Sequence, residues 1–320
     1  MTTPFHFSVE VVRPGALTTV QDLGRTASLS AGVPVGGALD RLAARIANML
    51  VGNPDTAAVL ETTMGGPVLA FSADTLVSVC GARFTGVPAW QPFLVKGGEA
   101  IDLSEIESGY HGYIAIAGGF AVPLVMGSAS TYLRAALGGH AGRALRKGDL
   151  LRTYAPAKKL PTDLDHWRVS PSLLPAYSTQ PIVRIVRGAQ WAWFSEESQY
   201  HLVEGRYSVL PKSDRMGQRL IGAQLKLREP REMLSEPVAF GSVQVPPEGQ
   251  PIVLMADRQT IGGYPRIAEV ISVDLPLVAQ LRPGERLLFS LVSLAEAQAL
   301  YLAEEHALGH LHEGLLEKFA

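Results

Sequence analysis

The run Ile252-Val253-Leu254-Met255-Ala256 passes directly into Asp257-Arg258-Gln259-Thr260-Ile261-Gly262-Gly263-Tyr264-Pro265. The apolar run suits a buried strand and is too short for a helix; the glycine pair and the proline then punctuate the chain. The same pattern, a short apolar run closed by turn residues, recurs at 75–81, 92–96, 112–117, 182–186, 269–275 and 286–292. The chain carries 32 glycines and 22 prolines for such turns. Many short strands and few helices give a mainly β chain, α+β in class, of barrel or sandwich type.

Three turns resemble one another: Lys96-Gly97-Gly98-Glu99, Arg146-Lys147-Gly148-Asp149 and Arg282-Pro283-Gly284-Glu285. Each precedes a partly apolar, strand-like stretch. Duplication and ordinary turn chemistry both account for them. Two helices stand out. Residues 38–51 carry Leu39, Leu42, Ala43, Ile46, Met49 and Leu50 at helical spacing, with Arg41, Arg45 and Asn48 on the other face. Gly52-Asn53-Pro54 stops this helix. The second starts at Ser293 with Glu296 three residues later, a capping-box pattern. Its apolar stripe is Leu294, Ala297, Leu300 and Tyr301, with Gly309 a place to bend or pause. His306 and His310 have the spacing of a metal pair, but no further ligand lies nearby, so a solvated helix end is the reading. The segment 154–180, rich in Pro, Lys, Asp and Ser, reads as a linker.

Composition narrows the function. The 320 residues are 47% hydrophobic and 18% charged, enough for a packed core. The formal net charge of -2 lacks the basic excess of a polyanion binder, so no nucleic-acid partner is expected. The single cysteine, Cys80, lies in an apolar run and reads as a core thiol. The first residues lack a basic segment followed by an apolar stretch, so they do not read as a signal peptide. The longest uncharged stretch, 110–133, is broken by glycines, a proline and hydroxyl residues and does not suit a membrane span. A cytoplasmic protein with no membrane partner is expected.

Four polar, glycine-punctuated segments interrupt the apolar pattern, where function usually sits. The first, 15–25 with Gly32-Val33-Pro34, offers Thr18, Thr19, Gln21, Asp22 and Arg25. These suit either a small polar substrate or turn caps with an Asp22–Arg25 pair. The second, Gly127-Ser128-Ala129-Ser130-Thr131 followed by Gly138-Gly139-His140-Ala141-Gly142-Arg143, suits anion binding by loop N–H groups or a structural turn. It is not a P-loop, since no Gly-x-x-x-x-Gly-Lys-Ser/Thr occurs in the chain. The third holds Asp214, Arg215 and Arg219; guanidinium forks suit carboxylate or phosphate, and surface ion pairing is the alternative. The fourth is the densest. Asp257 follows a strand, suited to act as a base or to bind a metal, with Gln244, Gln259, Thr260 and Tyr264 suited to an amide or acid. Gly262 and Gly263 allow close backbone approach.

Taken in order, these segments resemble the KipA-like proteins, also called allophanate hydrolase subunit 2 or the biotin-dependent carboxyltransferase family. The resemblance also runs through 47–53, Leu60-Glu61-Thr62-Thr63, Gly66-Pro67, Ile116-Ala117-Gly118-Gly119, Gly148-Asp149, 213–220, Gln244-Val245-Pro246 and Gly249-Gln250-Pro251-Ile252, and covers about residues 10–295. It implies two tandem cyclophilin-like β-barrel domains. We place them at 1–155 and 181–295, with the linker at 156–180 and a helical tail at 296–320. The family's best-known function is as the C component of a bacterial 5-oxoprolinase, which opens 5-oxoproline to glutamate with ATP. The implied partners are a KipI-like B component, a LamB/YcsF-like A component and a lactam or amide substrate, with ATP and Mg2+ shared with a partner protein. In that setting Asp257, Arg215 and Tyr264 are expected in catalysis. Thr19, Gln21, Asp22, Arg25, Asp214, Arg219, Gln244, Gln259 and Thr260 are expected to bind substrate, and Ser128, Ser130 and Thr131 the cofactor. No residue is assigned to a resident metal.

Three positions depart from the family pattern. Gly24-Arg25-Thr26-Ala27 replaces Gly-Arg-x-Gly, Ala129 replaces a common arginine, and Ser235-Glu236-Pro237 replaces Ser-Glu-Gly. The change at Ala129 puts anion binding by that loop in question. Two other functions fit the resemblance. One is the carboxyltransferase component of a biotin-dependent urea or amide carboxylase. Biotin would then need a separate carrier, since no Met-Lys-Met motif occurs here. The other is a non-catalytic, KipI-binding regulator.

Overall fold

A computed structural model describes residues 5–156, 159–161, 163–164 and 167–319. The chain divides into two compact units. One comprises Met1–Arg25, Gly36–Leu174 and His306–Ala320; the other comprises Thr26–Val35 and Pro175–Glu305.

The first unit holds strands β1 (Phe5–Arg13), β2 (Leu17–Gln21), β3 (Val59–Thr63), β4 (Val68–Phe71), β5 (Thr75–Phe84), β6 (Pro92–Val95), β7 (Ala100–Asp102), β8 (Ile106–Ile116) and β9 (Leu150–Tyr154). They form two antiparallel sheets, ordered β7-β4-β1-β9 and β2-β3-β8-β5-β6. Both faces of the second sheet are covered, which is why its central strands are apolar at consecutive positions. Val77, Val79, Ile114 and Ile116 pack with Val9, Val11 and Leu69 of the first sheet. The alternate residues Leu76, Cys80, Tyr113 and Ala115 pack beneath helix α1 (Arg41–Leu50) with Ile46 and Leu50. This is the period of two expected of strands.

Helix α1 is three residues shorter at its start than the periodicity implies. Asp40 is its N-cap, accepting the Ala43 N–H at 2.9 Å, while the Leu39 N–H goes to Glu61. At the other end Gly52 (φ +73°) leaves the helix. Asn48, expected on the polar face, is fully buried. It donates to the Ala57 carbonyl and accepts from Asn53, whose amide also reaches the Ile116 carbonyl. Part of the expected linker packs on this unit, with Trp167, Val169 and Leu173 buried beside α1.

The second unit holds β10 (Ile182–Arg187), α2 (Glu196–Glu204), β11 (Arg206–Val209), β12 (Gly217–Ile221), β13 (Glu236–Pro237), β14 (Ser242–Gln244), β15 (Ile252–Leu254), β16 (Ile261–Gly262), β17 (Arg266–Val270), α3 (Leu275–Ala279) and β18 (Arg286–Leu291). Seven of these strands close a barrel in the order β10-β17-β14-β15-β12-β11-β18, sealed by the parallel pair β10–β18. Its interior is filled by facing pairs such as Val183–Phe289, Tyr207–Leu287, Val209–Leu220 and Val243–Val253. The mainly β class expected from the apolar runs holds. The run 269–275 is the least regular: its strand ends at Val270, and Ser272–Asp274 turns into α3.

The three similar turns share one hydrogen-bond pattern. In each, the carboxylate of the fourth residue accepts the N–H of the first: Glu99 from Lys96, Asp149 from Arg146 and Glu285 from Arg282, at 2.9, 2.7 and 2.8 Å. Gly98, Gly148 and Gly284 all have φ between 85° and 89°. Each of these glycines donates to a strand carbonyl, of Phe71, Val11 and Val209, at 2.8 Å. The N–H of that same strand residue returns to the acidic residue's carbonyl. The motif occurs twice in the first unit and once in the second.

Helix α4 (Leu294–Lys318) starts at Ser293, whose hydroxyl accepts the Glu296 N–H, and runs through Gly309 without a break. None of its expected stripe is buried: Leu294 and Tyr301 are exposed, Ala297 and Leu300 are half-buried, and the buried residues are Leu308 and Leu315. No described helix is long and apolar enough to cross a membrane.

Candidate functional site

In the first unit the chain gathers two distant polar segments. Asp22, just past β2, is a buried carboxylate with four donors. It accepts from the Gly24 N–H at 2.7 Å, the Ser128 hydroxyl at 2.7 Å, the Ala129 N–H at 2.6 Å and the Ser130 hydroxyl. Burying an ionised carboxylate is costly unless donors replace its water, and these do. Arg25, 1% exposed, donates to the Ser130 and Val125 carbonyls. Gln21 donates to Thr19 Oγ1 at 3.0 Å and to the Thr131 carbonyl at 3.2 Å, while the Thr131 hydroxyl donates to the Val20 carbonyl. Burial lowers the Arg41 guanidinium pKa, and the charge of Asp22 partly offsets that.

Thr19, Gln21, Asp22, Arg25, Ser128, Ser130 and Thr131 are thus brought together, all buried. Their polar groups hold one another. The hydroxyls expected to meet a phosphate are engaged by Asp22 and by the Val20 carbonyl, so this loop already encloses an anion from its own chain. Ala129, where the family often has arginine, is 3% exposed and packs in the sheet core; its N–H donates to Asp22 and its carbonyl accepts the Gly139 N–H.

Beside this knot the chain 121–142 is tightly wound. Met126, Ala136 and Ala141 have φ of 53°, 48° and 55°, a region non-glycine residues seldom adopt. A Cβ on Gly139 would stand 1.8 Å from Thr131 Oγ1. A pocket of about 280 Å³ lies against Val122, Val125, Gly138 and His140. His140 Nε2 is 3.5 Å from Asp149, whose carboxylate is forked by Arg143.

In the second unit Arg215 and Asp257 converge at one end of the paired strands β12 and β15. The guanidinium donates from Nε and Nη2 to the two carboxylate oxygens, each at 3.0 Å, and the Asp257 N–H donates to the Arg215 carbonyl at 2.8 Å. Both residues are buried. The Asp214 carboxylate caps its own turn through the Met216 and Gly217 N–H groups, and Arg219 is exposed on β12. The two arginines therefore do not form one anion site.

A second cluster covers the outer face of β14. Gln244, 1% exposed, donates to the Tyr264 carbonyl at 3.1 Å and accepts from the Gln259 amide at 3.2 Å. A Cβ on Gly262 would lie 2.5 Å from the Gln244 amide nitrogen, so glycine lets the chain lie on that amide. Gln259 is half-buried and Tyr264 is exposed. Thr260 contributes its carbonyl, which accepts the Val238 N–H. Alongside, Arg266 bridges Glu236 and Glu269, and burial raises the Glu269 carboxyl above its ordinary range. Among the described residues no group of three His, Cys, Asp or Glu is placed to hold a metal.

Glu61, Tyr113 and Gln218 carry no role in the sequence reading. Glu61 accepts from the Leu39 N–H and the Tyr113 hydroxyl, and that hydroxyl accepts the Asp40 N–H; burial pushes the Tyr113 pKa well up. Gln21 Oε1 and Gln218 Oε1 are buried and meet no donor among the described residues. Gln218 shares the inward face of β12 with Leu220, a placement that strand alternation shows once the strand is known.

The carboxyltransferase domain model, subdomain A and B, matches residues 31–291. The chain belongs to this family. It is 37% identical over 316 residues to the C component of 5-oxoprolinase from Haemophilus influenzae, covering 97% of this chain and 99% of that protein. It is 39% identical over 295 residues to the C component of 5-oxoprolinase from Escherichia coli, covering 90% of this chain and 93% of that one. Among solved structures, K. lactis urea amidolyase superposes with a TM-score of 0.87 at 29% identity, over 97% of this chain but 20% of that one. The family resemblance drawn from the ordered motifs holds.

Proposed function

We propose that this chain is the C component of an ATP-dependent 5-oxoprolinase that converts 5-oxoproline to L-glutamate. The observation that carries the reading is the near end-to-end match, in both directions, to two bacterial proteins of that name. In this reading the chain is a cytoplasmic component of a complex with KipI-like and LamB/YcsF-like partners.

A lactam carbonyl is a poor electrophile, so opening the ring requires its oxygen to be activated, and ATP with Mg2+ supplies that activation when bound. The residues named here for ATP do not fit it. Ser128, Ser130 and Thr131 are fully buried and internally bonded. Arg215, expected in catalysis, is forked onto Asp257 and is not turned to a phosphate. We therefore assign nucleotide binding to a partner protein and lactam recognition to this chain. A lactam offers one N–H donor and one carbonyl acceptor. The Gln259 amide nitrogen is turned to Gln244, which leaves its oxygen for the lactam N–H. Exposed Tyr264 brings a hydroxyl donor for the carbonyl. Gln244 fixes Gln259, while the Arg215–Asp257 pair holds the start of the 257–265 segment. Arg215 and Asp257 thus act as positioning residues.

The test is glutamate and ADP formation from 5-oxoproline and ATP by the three co-expressed components, with a control lacking this chain. Turnover that vanishes in the control supports the reading. A stable complex without turnover removes it. Within an active complex, Gln259→Ala raises KM for 5-oxoproline more than it lowers kcat, and an unchanged KM removes the assignment of Gln259.

The match to urea amidolyase and the family description favour a second reading, the carboxyltransferase component of a biotin-dependent amide carboxylase. Transfer of carboxylate from a biotinylated carrier to urea or another amide, dependent on this chain, would select it.

A further inference from the structure

In the first unit, the last turns of α4 and the segment 167–173 flank a half-open cavity of about 450 Å³. Its walls are Leu50, Trp167, Leu173 and Leu315, all buried residues of the helix-side core. Among the described residues, its charged and ionisable lining residues are Arg168, His310 and Lys318, and none of those lining it is acidic. Lys318 Nζ stands 5.2 Å from the centroid of the Trp167 ring, a cation–π position at the cavity edge. Arg168 is exposed and makes no ion pair with a described residue. His310 faces Glu313 at 3.6 Å along the helix. The space exists partly because position 314 has no side chain: a Cβ on Gly314 would meet nothing within 4 Å.

We propose that this cavity binds a small apolar carboxylate, an aliphatic or aromatic acid whose body lies on Trp167, Leu173 and Leu315 and whose anionic head meets Lys318 and Arg168. The volume falls in the range of small-molecule pockets, roughly 300–1,000 Å³. An apolar lining with a basic rim matches this class and rejects its neutral and cationic analogues, because only the anion gains from the rim. 5-Oxoproline shares the carboxylate, but its polar lactam would replace the apolar body that Trp167, Leu173 and Leu315 face, so the proposal does not rest on the lactam reading.

The probe is octanoate, titrated calorimetrically into the full chain, with 1-octanol and octylamine as matched tails. We expect saturable one-to-one binding of octanoate, with octylamine at least about tenfold weaker, a ratio worth about 1.4 kcal/mol. Gly314→Leu fills the cavity from open space and abolishes binding while thermal stability is held or raised, since leucine favours the helix over glycine. The double substitution Arg168→Ala and Lys318→Ala weakens octanoate about tenfold and leaves 1-octanol unaffected. No saturable binding of octanoate, equal affinity for octylamine, or wild-type binding by a folded Gly314→Leu protein would each overturn the proposal.

Discussion

Replacing Asp22 by Asn removes a charge and keeps the shape, and the structure fixes what that costs. One carboxylate oxygen takes the Gly24 N–H and the Ser128 and Ser130 hydroxyls, and the other takes the Ala129 N–H. An amide has one oxygen. If it faces the three-donor side, its NH2 opposes the Ala129 N–H; if it faces Ala129, its NH2 opposes the Gly24 N–H. Hydroxyls can rotate to accept, but a backbone N–H cannot, so one buried donor loses its acceptor in either orientation. A hydrogen bond to a charged group contributes about 1.5–3 kcal/mol, and a buried donor left unsatisfied costs about 1–3 kcal/mol. Allowing for relaxation, the loss is about 3 kcal/mol. For a unit of this size, about 2–4 °C per kcal/mol turns that into a fall of roughly 6–12 °C in its melting temperature. Calorimetry reads the fall, and amide exchange at Gly24 and Ala129 locates it. The control is Arg83→Ala, which breaks an exposed 3.7 Å pair with Glu107 and shifts stability by at most about 1 kcal/mol. A melting temperature within about 2 °C of wild type, with exchange unchanged at both amides, would refute the reasoning.

The Arg215–Asp257 fork gives a second test. Arg215→Ala leaves a buried carboxylate unpaired and lowers the denaturation free energy by about 3–5 kcal/mol, whereas Arg215→Met with Asp257→Leu recovers most of it; a double substitution no better than the single would sink the idea. Asp149 supplies a pH dependence. The Arg143 fork holds its carboxyl well below the usual range, helped by the Arg146 N–H. Because the folded value is the lower one, this stabilisation is complete above the unfolded value of about 3.9 and is lost as pH falls through the folded value. Arg143→Ala therefore moves the acid-unfolding midpoint to higher pH, measured by circular dichroism; an unmoved midpoint counts against the fork. Cys80 is fully buried, and that burial pushes its thiol well up. Native protein leaves a thiol reagent unreacted, and guanidinium releases one thiol per chain; labelling at the free-cysteine rate without denaturant would contradict the buried placement.

What the sequence alone determined is what short-range chemistry controls. The apolar runs became strands, with only the run 269–275 breaking early into a turn and α3. Asp40 and Ser293 start helices because a side-chain oxygen reaches an N–H three residues on. The turns at 98, 148 and 284 need glycine because φ is positive there. The ordered motifs carried the family, since several short signatures in register are far more specific than any one. Tertiary structure alone decided which polar groups meet. Asp22 and Ser128 are 106 positions apart, and Arg215 and Asp257 are 42 apart. No local period reports such partners, and Arg25 and Arg215 each had an acid nearer in sequence that matched the wrong neighbour. The same limit explains Asn48 and the α4 stripe. Amphipathic spacing tells which residues share a face; what covers that face depends on distant segments, which bury Asn48 and leave Leu294 and Tyr301 in solvent. The hydroxyls of Ser128 and Ser130 look like an anion site in sequence because they are one, and the fold supplies the anion from Asp22.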